Sequence, residues 1–181
     1  MLQFLSELDS GILLWIQDNL RNPVLTPILK FITTLGNGGA IWILLTLIVL
    51  MLPKTRKVGC MMAMALIGTL LINNILLKNL VARTRPYEVI EGLTYLVRQP
   101  SDYSFPSGHA GCSFAVACIM LRRLPKRYGI PAIILAIVIS FSRLYVGVHY
   151  PSDVLFGVIS GILISYAAEA IAERLWKKER S

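Results

Sequence analysis

Apolar residues run along this chain in long blocks, separated by short polar segments. Five blocks are long enough to cross a bilayer, at approximately 36–52, 57–80, 107–122, 129–148 and 152–173, each close to the ~20 residues a spanning helix needs. The third is short, and a short span is tolerated where its outer end packs inside protein. The fifth carries Gly157, Ser160, Gly161, Ser165 and Ala167, small side chains that allow close helix contact. Residues 1–35 differ. Leu2, Leu5, Leu8, Ile12, Leu13 and Ile16 form a helical stripe, with Asp9 or Ser10 placed to cap a helix over 11–20. The polar run Asp18, Asn19, Arg21, Asn22 and Pro23 follows. Two interfacial helices fit this region, and a bent sixth span is the competing reading. The pattern predicts an all-α integral membrane protein. It would be a bundle of five to six transmembrane helices forming a single domain over 1–181, with interfacial helices in 1–35 and a transmembrane core in 36–173.

Composition supports the membrane assignment. Of 181 residues, 55% are hydrophobic and 15% charged, against roughly 25% charged in soluble domains. Cys60, Cys112 and Cys118 lie in apolar stretches without metal or disulfide spacing, as small hydrophobes do. The N-terminus lacks a basic n-region, so no cleavable signal peptide is expected. The net charge of +8 comes largely from short interhelical loops, which points to anionic lipid headgroups and not to nucleic acid.

Those loops orient the bundle. Lys54, Arg56 and Lys57, then Arg122, Arg123, Lys126 and Arg127, then Arg174, Lys177, Lys178 and Arg180 fall on one side by parity. The positive-inside rule makes that side cytoplasmic. The 81–106 loop and the 149–151 turn then face the extracytoplasmic side of the cell membrane.

The polar motifs cluster at that outer side. Lys78 and Arg85 are seven residues apart, and Arg85 precedes Pro86, which marks a helix boundary. Pro106-Ser107-Gly108-His109 opens the third span, presenting free N–H groups and the positive end of a helix dipole. Arg143 and His149 lie near the outer end of the fourth span, and Asp153 follows His149 by four.

Lys78, Arg85 and Arg143 can neutralise a tetrahedral anion, with Ser107 and Gly108 completing the cradle. Two imidazoles and a carboxylate then divide the work of phosphoryl transfer without a metal. His149 attacks phosphorus, Asp153 orients it, and His109 protonates the leaving oxygen.

Other polar residues receive plainer readings. Arg83 and Arg98 meet headgroups. Glu88, Glu91 and Asp102 are solvated loop charges. Asn73 and Asn74 pack between helices, and Tyr103 and Phe105 anchor at the interface.

The three segments, read as K-x6-R-P, P-S-G-H and S-R-x5-H-x3-D, resemble the signature of the type 2 phosphatidic acid phosphatase superfamily, over roughly residues 36–173. The resemblance implies a helical bundle, a covalent phosphohistidine mechanism with no cofactor and no metal, and the same roles for the same residues. Its membrane members typically have six spans.

The expected activity is hydrolysis of a lipid phosphomonoester or diphosphate, with the bilayer and its lipid substrate as partners. Undecaprenyl diphosphate is favoured because the site faces outward; phosphatidylglycerophosphate and phosphatidate are the alternatives. A vanadate-dependent haloperoxidase and a lipid transporter are the readings from other classes. The sequence is silent on oligomeric state.

Overall fold

The computed structural model describes residues 2–178, and every regular element among them is helical. In order these are α1 (Leu2–Leu20), α2 (Leu25–Leu35), a 3₁₀ turn (Asn37–Gly39), α3 (Ala40–Met51) and α4 (Arg56–Thr69). A π-helical stretch (Leu70–Leu77) leads into α5 (Lys78–Val81) and α6 (Pro86–Val89), followed by α7 (Gly108–Arg123), α8 (Lys126–Tyr145) and α9 (Pro151–Lys178).

Three helical stretches among the described residues are long and apolar enough to cross a membrane: the one starting at Arg56, α8 and α9. The pair α2 and α3, bent by 49°, makes a fourth if taken as one span. The expected third span corresponds to α7, whose 16 residues reach about 24 Å and which is not among the helices long and apolar enough to cross. Its shortness is accommodated because α7 is the central helix. Ala110, Ala115, Val116, Ala117 and Ile119 have no exposed surface, and α4, α8 and α9 pack around it.

The N-terminal region departs from expectation. No helix starts at residue 11; α1 runs from Leu2 through Asp9 and Ser10 without a break. Asp9 is not a cap because its carboxylate has tertiary partners, accepting from Ser152 N at 2.9 Å and from Arg83 Nη2 at 2.8 Å. α2 packs along α8. Arg21, in the α1–α2 link, donates to the Tyr145 carbonyl at 3.0 Å, satisfying an otherwise free acceptor at the end of α8.

Glycine sets the spacing that positions the site. A Cβ on Gly157 would sit 2.7 Å from the Ser107 carbonyl oxygen and 3.0 Å from Ala110 Cβ, and one on Gly161 would run into the Gly111 carbonyl. The backbones of α7 and α9 therefore touch, as small-residue helix packing allows. The contact brings their N-termini together, and Ser107 N donates to the Asp153 carbonyl at 3.1 Å.

Elsewhere Trp42, fully buried, ties α3 to α7 by donating to Ser113 Oγ at 2.8 Å. At the opposite end of α7, buried Glu169 accepts from Arg122 Nε (2.9 Å) and Arg123 Nε (3.0 Å). Two of the basic residues read as orientation signals thus also clamp α7 to α9.

Candidate active site

The first polar segment follows α5. Ala82 adopts a left-handed backbone (φ 47°) and donates its amide to the Lys78 carbonyl at 2.9 Å. That closes the helix and turns the chain so that Arg83 and Arg85 both point back at the bundle. Lys78 and Arg85 are buried, and Arg85 Nη1 donates to the Val148 carbonyl at 2.6 Å. The cation at 85 therefore also fixes the turn that carries His149.

The second segment is the start of α7. Ser107 is its N-cap, with the hydroxyl accepting from Ala110 N. Gly108 lies under the Asn74 side chain, whose Oδ1 would be 2.6 Å from a Cβ there. His109 stands one residue further on, its Nε2 3.1 Å from Asn37 Oδ1. A Cβ on Gly36 would meet the His109 ring at 2.6 Å, so the glycine-rich bend between α2 and α3 leaves room for this imidazole.

The third segment joins α8 to α9. Arg143 is buried, with Nη1 donating to Thr33 Oγ1 at 2.7 Å and Nε lacking a partner. Gly147 takes φ 76°, and a Cβ there would lie 2.5 Å from the Thr94 carbonyl oxygen. Both the conformation and the crowding require glycine. This turn delivers His149, which is buried.

His149 Nδ1 lies 3.5 Å from Asp153 Oδ2, longer than a proper hydrogen bond, and has no other partner. Burial pushes this imidazole, in the turn outside the spans, down to about 3, despite the pull of Asp153. It is therefore neutral at physiological pH. The Asp153 carboxylate is fully buried and well bonded. Oδ2 accepts from Tyr150 N at 3.0 Å and from the Ser104 hydroxyl, and Oδ1 accepts from Arg83 Nη1 at 2.7 Å.

Lys78, Arg85, Gly108, His109, Arg143 and His149 line one cavity of about 1610 Å³. Asp153 and Ser107 stand behind it, one beside His149 and the other capping α7. The polar end of the cavity continues into an apolar groove lined by Ile43 and Leu47 of α3 and by Leu66, Ile67 and Leu70 of α4 and the π stretch. Ile43, Leu47, Ile67 and Leu70 are exposed on the outside of the bundle. One end can hold an oxyanion, and the other meets lipid.

Several participants are absent from the sequence reading. Arg83, read as a headgroup contact, bridges Asp153 to Asp9, donates to Ser152 Oγ at 2.7 Å and stacks 3.7 Å over the Tyr150 ring. Asp102, read as a solvated charge, pairs with Lys78 and Arg85. Thr33 comes from the region read as interfacial, and Asn37 from the start of the first expected span. The run Gly36-Asn37-Gly38-Gly39 inside an apolar block was the one signal pointing there. Asn73 does pack between helices, donating to Ser160 Oγ at 2.9 Å.

The fold and the cavity define an integral-membrane helical bundle with two imidazoles and three cations gathered on a cavity at one end. Residues 57–177 match the PAP2 superfamily, more than half of the chain, and the chain belongs to that family. It is 35% identical over 131 residues to an undecaprenyl-diphosphatase of Sulfolobus acidocaldarius, covering 72% of this chain and 63% of that protein's length. It is 30% identical to a lipid A 4'-phosphatase of Bacteroides thetaiotaomicron, covering all of this chain and 84% of the relative. The crystal structure of the transmembrane PAP2-type phosphatidylglycerolphosphate phosphatase of Bacillus subtilis superposes with a TM-score of 0.75 at 28% identity, covering 93% of this chain and 86% of that one.

Removing Arg83 leaves a fully buried carboxylate short of its charged donor. Arg83→Leu is expected to cost about 3–5 kcal/mol, read as a lowered melting temperature in detergent. Asp9→Asn, which keeps the shape and removes one charge, should cost less.

Proposed function

We propose that this protein is a membrane lipid phosphatase that works through a phosphohistidine and acts on undecaprenyl diphosphate at the extracytoplasmic leaflet. The observation that carries the reading is the convergence of two imidazoles and three cations on one cavity, with a carboxylate behind His149.

Lys78, Arg85 and Arg143 bind the terminal phosphate through their cationic side chains. Backbone N–H groups at the start of α7, beside Gly108, add the positive end of a helix dipole. Since Nδ1 faces Asp153, Nε2 of neutral His149 is the attacking atom. The Nε2–phosphorus bond forms as the bond from phosphorus to the bridging oxygen breaks, and His109 protonates the departing lipid phosphate. Asp153 stabilises the positive charge on His149, and its 3.5 Å separation shortens as that charge develops. Water then attacks phosphorus, His109 takes its proton, the Nε2–phosphorus bond breaks and orthophosphate is released.

The lipid tail lies in the groove between α3 and α4. The site faces outward because the basic loops mark the other end as cytoplasmic. An outward site suits a polyprenyl diphosphate left on that leaflet, and the similarity to an undecaprenyl-diphosphatase supports this choice. Relatives that act on lipid A and phosphatidylglycerol phosphate make those lipids the comparison substrates.

Three outcomes follow. Purified protein should release phosphate from undecaprenyl diphosphate faster than from phosphatidylglycerophosphate, phosphatidate or lipid A phosphates. His149→Ala should abolish that release by at least about 10³-fold while eluting as folded protein, and full activity in this variant would sink the mechanism. Leu47→Trp, which fills the apolar groove, should raise KM for undecaprenyl diphosphate several-fold and leave a short water-soluble phosphate ester unaffected.

The pH profile supplies the last test. With its pKa lowered to about 3, His149 loses its neutral form only as pH falls through that value. kcat/KM should therefore show no acid limb near pH 6.5, whereas an unperturbed imidazole nucleophile would lose about 30-fold by pH 5.

A further inference from the structure

Two of the three cradle cations already hold an anion. Asp102, on the segment between α6 and α7, pairs through Oδ2 with Lys78 Nζ and through Oδ1 with Arg85 Nη2 at 2.6 Å. Its main-chain carbonyl accepts from Arg85 Nε at 2.8 Å. The three side chains differ in exposure. Lys78 and Arg85 are 7% and 3% exposed, and Asp102 is 51% exposed. The cations are thus embedded in the bundle, while the carboxylate is half in water and can leave them at little desolvation cost.

Asp102 also stands at a boundary. A second cavity of about 520 Å³ lies on the loop side of the bundle, lined among others by Asn79, Arg83, Thr84 and Glu88. It shares Asn74, Lys78, Arg85 and Asp102 with the larger cavity. The larger cavity reaches the apolar groove, whereas the smaller one has Thr84 and Glu88 exposed to solvent. The Lys78–Asp102–Arg85 cluster lies where the two meet.

We propose that Asp102 is a built-in anionic occupant of the phosphate cradle, holding Lys78 and Arg85 in the empty site, yielding them to the substrate and retaking them to expel orthophosphate through the smaller polar cavity. This rests on the phosphatase reading of the cradle. A lipid diphosphate brings more charge and more acceptor oxygens than a carboxylate, so it displaces Asp102. Orthophosphate has lost the apolar tail and the second phosphate, and Asp102 competes with it on better terms. Although burial alone would raise the Asp102 carboxyl, Lys78 and Arg85 hold it at about 2. It is therefore anionic at every working pH, and ligands rather than protons displace it.

The alternative is that Asp102 positions the two cations for phosphate, and the two roles predict opposite signs. Orthovanadate, a phosphate mimic, is titrated by calorimetry into purified wild type and Asp102→Asn at fixed ionic strength. Relief of competition should tighten vanadate binding by at least about fivefold, the low end of ordinary coupling between two ligands. Orthophosphate should also become a stronger inhibitor of undecaprenyl monophosphate formation. Asp102→Ser, which removes the same charge with a smaller side chain, should shift both in the same direction, and Asp102→Glu should stay near wild type.

Equal or weaker vanadate binding in the Asn and Ser variants would overturn the proposal. The calorimetric arm needs no turnover. Wild type that binds vanadate and cleaves none of the lipids would therefore count against the proposed function, while the same titrations still decide the role of Asp102.

Discussion

The Asp153 carboxylate is the group around which the active end of this bundle is organised. It has no exposed surface, and taking a carboxylate out of water costs several kcal/mol unless its oxygens are bonded. Its donors come from separate parts of the chain: Arg83 after α5, the Ser104 hydroxyl before α7, and the Tyr150 amide in the turn that carries His149. Arg83 extends the network to Asp9 on α1. Burying one carboxylate thus ties the N-terminal helix, two connecting segments and the start of α9 together. His149 gains a fixed neighbour from a network already needed for folding.

The cations pose the opposite problem. Lys78, Arg85 and Arg143 are all buried near one cavity, where like charges repel and water is too scarce to screen them fully. Main-chain carbonyls and Thr33 absorb part of this cost at Arg85 and Arg143, and Asp102 absorbs part of it at Lys78 and Arg85. The unbonded Nε of Arg143 marks a place where compensation stops. On the proposed function, a site that is electrostatically incomplete when empty would gain most from an anion with several oxygens, which links the cost of building the cradle to its selectivity.

The helical core was legible because bilayer-length apolar runs and small-residue spacing leave strong local patterns. The cavity residues were legible because His109, His149, Lys78, Arg85 and Arg143 sit in short motifs at the ends of those runs. Other features depend on tertiary contacts that carry no local signature. Asp9 looked like a helix cap because a carboxylate near a helical start usually is one, and only the fold brings Arg83 and Ser152 to it. Arg83 looked like a headgroup contact because nothing in its neighbours announces a buried acid seventy residues on. Asp102 lies three residues before Phe105 in a polar stretch, where a solvated charge is the ordinary outcome. The glycine-rich run at 36–39 looked like part of the first span, because nothing local shows it to be the bend that brings Thr33 and Asn37 over the site.

These contacts also separate what is fixed from what can exchange. His109 and His149 are held by helix ends whose relative position is set by backbone contact at Gly157 and Gly161, so neither can shift without disturbing the α7–α9 interface. Lys78 and Arg85 are buried against the same framework. Asp102 belongs to the long segment between α6 and α7 and keeps half of its side chain in solvent. When an anion arrives, the least costly adjustment is to release the exposed carboxylate and leave the cations in place. In the proposed mechanism, a rigid cradle with an exchangeable counter-charge would keep His149 aligned through binding and release, which is the constraint a two-step displacement places on its site.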